Sequence, residues 1–149
     1  MDDARNTIMN SRTVTIFGVF DGIHEGHLVF INDAKSKGDK LVAIVARDSV
    51  VEKLKGKAPT NSEAIRIKAL LEVHDIDQVF LGDIEEGTYN VLKEIKPDVI
   101  YLGYDQQALF DNISEAIEKG VLPEIELVYG KPHKGDTLHS SIINNKLND

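Results

Sequence analysis

The stretch TVTIFGVFDGIHEGHLVF, Thr13 to Phe30, decides the fold. It opens on a β-rich apolar run (TVTIFG, 13–18) and crosses a turn studded with glycines. It leaves into the helical pattern HLVFINDAKSKG (27–38), with Gly38 as the expected C′ glycine. A strand feeding a helix through a short turn is the first half of a parallel crossover unit. The turn carries His24 and His27, two of the five histidines in the chain, with Gly26 between them.

Outward from this unit the same alternation continues. KLVAIVA (40–46) reads as a second strand and NSEAIRIKALLEV (61–73) as a helix with an Asn or Ser N-cap. The expected buried stripe of that helix is Ile67, Leu70, Leu71 and His74, at i, i+3, i+4 and i+7. DQVFLG (77–82) follows as a strand and TYNVLKEIK (88–96) as a short helix ended by Pro97. DVIYLG (98–103), a helix over 106–119 stopped by Gly120, EIELVY (124–129) and a terminal helix SSIINNKL (140–147) complete the series. Apolar strands alternating with helices predict an α/β fold: a Rossmann-like, doubly wound, parallel five-stranded sheet with helices on both faces. One domain is expected over 13–149, preceded by a loose tail at 1–12. The segment 47–60 has no apolar pattern and is expected to be a long functional loop.

Composition narrows the function classes. An apolar share of 42% and a charged share of 28% are those of a globular chain, and no apolar run reaches the length of a membrane span. The polar, mixed-charge start reads as neither a signal nor a transit peptide. The chain has no cysteine, which removes disulfides, thiolate catalysis and cysteine-ligated zinc. A cytoplasmic setting is expected. A net charge of −8 opposes nucleic acid or an anionic membrane as partner, yet local cations and helix N-termini can still hold a phosphate ligand.

In sheets of this type ligands bind at the carboxyl ends of the strands, where the strand order reverses. The loops to read are therefore 18–27, 47–57 and 103–106. Neither GxGxxG nor GxxxxGK[ST] occurs in the chain. Instead, a helix beginning near Gly26 would set free backbone N–H groups beside two imidazoles that project to one side. Such a cradle suits a polyphosphate gaining charge in a transition state. Three other readings remain open: solvated turn histidines, one satisfied core histidine, or a metal held with Asp21. As loop side chains, both histidines are expected to be removable without harm to the fold.

GVFDGIHEGH resembles the GxFDxxHxGH signature of the HxGH nucleotidyltransferases, the cytidylyltransferase-like family. VEKLKGKAP resembles its Lys-bearing loop, EAIRIKALLEVHDIDQVFLGD its Arg-bearing helix and strand, and IKPDVIYLGYDQ its LGxD segment. LHSSIIN resembles its C-terminal ISSTxIR signature. The resemblance implies transfer of a nucleotidyl group from a nucleoside triphosphate to a phosphate-bearing acceptor, with release of pyrophosphate. It implies that His24, His27, Lys55 and Arg66 act on the phosphates. Gly18, Val19, Phe20, Asp21, Gly26, Gly103, Asp105, His139, Ser140 and Ser141 would bind the nucleotide, and Asp48 and Lys53 would face the acceptor. Mg²⁺ would travel with the substrate phosphates, and a homodimer is implied. VARDSVVEKLKGKAP and KPDVIYLGYDQ are most similar to the archaeal-type FAD synthase group, implying ATP and FMN as substrates. A CTP-dependent cytidylyltransferase acting on glycerol-3-phosphate or a related phospho-alcohol is the second reading. Asn144 replaces the signature arginine and His139 its first serine, which motivates a third: a nucleotide-binding protein with a weakened active site.

Overall fold

A computed structural model describes residues 11–85 and 87–130 of the chain. Five strands form one sheet: β1 (Thr13–Gly18), β2 (Lys40–Val45), β3 (Gln78–Leu81), β4 (Val99–Leu102) and β5 (Glu126–Tyr129). Every pairing is parallel and the order is β3-β2-β1-β4-β5, so the winding direction reverses between β1 and β4. The helices are α1 (Glu25–Lys35), α2 (Asp48–Lys55), α3 (Glu63–Leu71), α4 (Asn90–Ile95) and α5 (Gln107–Glu118).

The period of two along each strand sorts its side chains between two cores. Val14, Ile16, Leu41, Ala43, Val45, Val99 and Tyr101 face one way, packed with Ile31 and Ala34 of α1 and Leu70 of α3. Ile44, Ile100 and Leu102 face the other, packed with Leu92 of α4 and Ile113 and Ala116 of α5. Each such aliphatic side chain contributes about 1.5–3 kcal/mol by leaving water. The expected doubly wound α/β architecture, helices on both faces, is what these two layers make.

Several local expectations change. Segment 47–60 is not a bare loop, because α2 occupies Asp48–Lys55 and is closed by Gly56 at φ +80°. It escapes periodicity because Val51 alone is buried on it, while Leu54 stays 65% exposed. Helix α1 starts at Glu25, two residues early, because His24 is its cap. Gly38 is not a C′ glycine; α1 ends through Ser36 in the right-handed region. A Cβ at Gly38 would lie 2.7 Å from Val14 Cγ2 and 2.8 Å from Arg12 O, so close approach to the start of β1 explains the glycine. On α3 the buried side chains are Arg66 and Leu70, whereas Leu71 is 56% exposed and His74 lies beyond the helix, also exposed. Arg12 is anchored rather than loose: its backbone pairs with Asp39 and Lys40 and its guanidinium with Glu126. The expected helix at 140–147, with His139, Ser140, Ser141 and Asn144, lies outside the described residues.

Candidate active site

His24 sits in extended conformation (φ −130°, ψ 179°) at the N-cap of α1, where the chain leaves the turn after β1. Its Nδ1 accepts from the backbone N–H of Gly26 at 3.0 Å and of His27 at 3.4 Å. In return the His24 N–H donates to His27 Nδ1 at 3.2 Å. This is a capping box built from two imidazoles instead of the usual Ser and Glu. The rings stack, with centroids 3.9 Å apart and planes at 28°. Because each Nδ1 accepts an N–H, the ring proton of each histidine sits on Nε2. Burial pushes His27 down to about 4, helped by its neighbour His24 and opposed by a backbone hydrogen bond with Gly22. At neutral pH His27 is therefore an uncharged N–H donor, held beside the first turn of a helix.

Phe20 supports this pair from below. It is buried, it takes φ +54°, and its ring lies 5.5 Å from that of His27. A Cβ at Gly18 would come within 2.8 Å of the Phe20 ring, so Gly18 makes room for the aromatic support. A buried aromatic side chain at positive φ is strained, and strain of this kind gathers at functional turns.

A second set of contacts ties the other loops to this turn. Asp21 accepts from the N–H groups of Thr60 and Asn61 and from Asn61 Nδ2. Partial burial opposes its ionisation, yet these hydrogen bonds, with Arg66 nearby, hold its carboxyl below the ordinary value. Its two oxygens are thus spent on the 60–61 segment, which argues against the reading of Asp21 as a metal ligand. No cluster of three or more metal-ligating side chains occurs among the described residues.

Arg66, only 1% exposed, lies at the centre of the set. Its Nε donates to Asn61 O at 3.0 Å, and Nη1 donates to Val19 O and Ala46 O, each at 2.8 Å. Nη2 pairs with Asp48 Oδ1 at 2.6 Å. The resemblance implied a phosphate contact for Arg66; in the structure its guanidinium binds loop carbonyls and one carboxylate inside the fold. Sequence reading missed it because an arginine on an amphipathic helix normally marks the solvent face. Asp48 is correspondingly an anchor, its own N–H bonded to Glu63.

Lys53 and Lys55 lie in the last turn of α2, both exposed, on a helix rather than the expected loop. Gly103 and Asp105 follow β4, across the reversal point from Gly18 and Val19. There the structure adds a residue that no spacing signalled: Gln106, whose carboxamide bonds both Gly103 N and Phe17 O. Beyond β2 and β3 a cavity of about 400 Å³ opens, lined by Arg47, Gly82, Asp83, Ile84, Thr88 and Val91 among others. No described helix is long and apolar enough to cross a membrane.

The chain is similar to several known proteins. The cytidylyltransferase-like family model matches residues 15–141. An FAD synthase of Thermococcus sibiricus is 35% identical over 130 residues, 87% of this chain and 88% of the relative. An FAD synthase of Thermoplasma acidophilum is 38% identical over 134 residues, covering 87% and 89%. Among solved structures, the lipopolysaccharide core biosynthesis protein of Thermoplasma volcanium superposes with a TM-score of 0.75 at 32% identity, over 83% of this chain and 99% of that one. A pantoate-beta-alanine ligase from Francisella tularensis, 14% identical with a TM-score of 0.58 over 99% of this chain and 76% of that one, shares the fold alone. With a family model spanning the sheet and the histidine turn, and relatives aligned over most of both lengths, this chain belongs to the cytidylyltransferase-like family.

Proposed function

We propose that this protein is an FAD-forming adenylyltransferase, joining ATP and FMN to give FAD and pyrophosphate. The observation that carries the reading is the stacked His24–His27 pair, fixed by reciprocal hydrogen bonds at the N-terminus of α1. It stands beside the strand-order reversal, in a chain that aligns with FAD synthases over 87% of its length.

The reaction needs no covalent enzyme intermediate. An oxygen of the FMN phosphate attacks the α-phosphorus of ATP, the bond from that phosphorus to the β-phosphate oxygen breaks, and pyrophosphate departs with the electron pair. Charge grows on the α-phosphoryl and leaving oxygens. Donors already fixed in place stabilise it without reorganising, and the imidazole Nε2–H groups of His24 and His27, at the positive end of the α1 dipole, are such donors. Their being held before substrate arrives is the pre-organisation that catalysis by position requires. Mg²⁺, borne by the triphosphate oxygens, would offset phosphate charge, in keeping with an ion that demands few protein ligands.

On this reading Gly18, Val19, Phe20, Asp21, Gly26, Gly103 and Asp105 frame the nucleotide, Asp21 by pinning residues 60 and 61. Lys53, Lys55 and the cavity beside Arg47 belong to the acceptor side, with FMN entering past Asp48. His139, Ser140 and Ser141 complete the nucleotide contacts, and the protein works as a cytoplasmic homodimer, which sedimentation analysis checks. The deciding experiment incubates the protein with Mg²⁺ and each pair of substrates. FAD and equimolar pyrophosphate from ATP plus FMN are the expected products. A CDP-linked product from CTP and glycerol-3-phosphate, or nucleotide binding without turnover, would replace this function with another.

A further inference from the structure

β1 and β4 are neighbours at the reversal of strand order, yet their ladder holds only Val14↔Val99 and Thr15↔Ile100. β1 pairs with β2 along its whole length to Gly18, and β4 with β5 along its whole length to Leu102. The two strands therefore part toward their carboxyl ends. Extending the register by two residues sets Phe17 opposite Leu102. In a parallel ladder the Phe17 carbonyl would then accept from the Gly103 N–H.

Gln106 stands between those two groups. Its Oε1 accepts from Gly103 N at 2.8 Å, and its Nε2 donates to Phe17 O at 3.2 Å. The carboxamide acts as a stand-in peptide unit, satisfying a donor and an acceptor that burial would otherwise make costly. Gln106 is also the N-cap residue of α5 but makes no side-chain cap bond; its side chain goes to the sheet instead. The turn is closed tightly around it, since a Cβ at Gly103 would meet Asp105 Oδ1 at 2.9 Å and Gln106 Oε1 at 3.6 Å.

We infer that Gln106 is a strut that keeps the crevice between β1 and β4 open for the nucleotide. It is a positioning residue that acts through the width of the crevice. The inference rests on the reading of this crevice as the ATP site. Without the strut, Phe17 O and Gly103 N either lose their partners or pair directly and draw the strands together. Both outcomes oppose ATP entry. Neither moves His24 and His27, which are held by α1, so the loss falls on ATP binding and spares chemistry.

The test compares wild type with Gln106→Met, of the same length but without the hydrogen bonds, and Gln106→Glu, which keeps an acceptor for Gly103 and loses the donor to Phe17. ATP binding is measured by calorimetry, and KM for ATP, KM for FMN and kcat are measured in FAD formation. Gln106→Met is expected to weaken ATP binding about tenfold, the scale of one lost buried hydrogen-bonded pair. KM for FMN and kcat should stay within about threefold, the mark of lost binding with chemistry retained. Gln106→Glu should fall between the two. Wild-type ATP affinity in Gln106→Met, or equal losses for ATP and FMN, overturns the strut. Should Gln106→Met not fold, Gln106→Glu decides by the same criterion. A wild type that binds ATP but makes no FAD refutes the proposed reaction, and the calorimetric comparison still decides the strut.

Discussion

At position 24 a histidine performs the task that a serine or aspartate performs at most helix starts, closing two backbone N–H groups through Nδ1. In the proposed reaction the same ring offers its Nε2–H to phosphate, so capping and catalysis can be separated by substitution. His24→Ala should lose about 1 kcal/mol of stability with the cap and about two orders of magnitude in kcat with the donor. His24→Asn should restore the cap and leave kcat low, which denaturant titration and FAD assays on both variants will show. The residue at position 24 is the cap as well as a loop residue, so its removal carries a cost beyond that of a solvated loop side chain. His27 carries its own signature. Its folded value of about 4 lies below the ordinary 6.5, so above pH 6.5 neither folded nor unfolded chain gains a proton there. As pH falls from 6.5 toward 4 the unfolded chain protonates first, and stability is lost through that window and levels off below it. Thermal midpoints from pH 7.5 to 4 should show this loss, and His27→Asn should show less of it. Nitrogen NMR at pH 7 should find His27 as the Nε2–H tautomer.

At the scale of elements, Arg66 couples α3 to three loops by bonding Asn61, Val19 and Ala46 and pairing with Asp48 at the head of α2. Replacement by methionine would strand three carbonyls and one carboxylate. The expected cost is about 3 kcal/mol, set mainly by the loop carbonyls left without a donor. Asp48→Asn should cost far less, because Asp48 is partly exposed and asparagine keeps an acceptor oxygen for Arg66. Urea denaturation of both variants checks the ordering. Equal small losses would show that Arg66 is not the pin of the three loops. Helix α2 teaches the complementary lesson. With one buried residue it has no stripe to read, and it exists as a short capped turnover between β2 and the Arg66 cluster.

For the molecule as a whole, the sheet is a platform with a core on each face, and the site draws on the turns after β1, β2 and β4. Ligand binding should accordingly stabilise the entire fold through mass action. ATP with Mg²⁺ at about a hundred times its Kd is worth about 2.7 kcal/mol, or roughly 5–10 °C in thermal midpoint for a chain of this length. Differential scanning fluorimetry checks this, and CTP at the same concentration should give a smaller shift.

Much of this was legible in the chain alone. Alternating apolar strands and helices dictated a parallel sheet with two covered faces, because a strand buried on both sides needs an apolar run and a crossover needs a helix. GIHEGH, with the segments resembling one family in order, marked the turn to which catalysis is assigned in the proposed function. Tertiary structure decided the rest. It turned His24 into a helix cap, Arg66 into an internal clamp, and Gln106 into a bridge to Phe17, 89 residues away in the sequence. Periodicity reports which face of an element is apolar; it carries no signal for a polar side chain whose partners are backbone groups of distant loops. Those partners exist only once the strands are side by side, and that is why the fold was readable from the sequence while the fastening of the site was not.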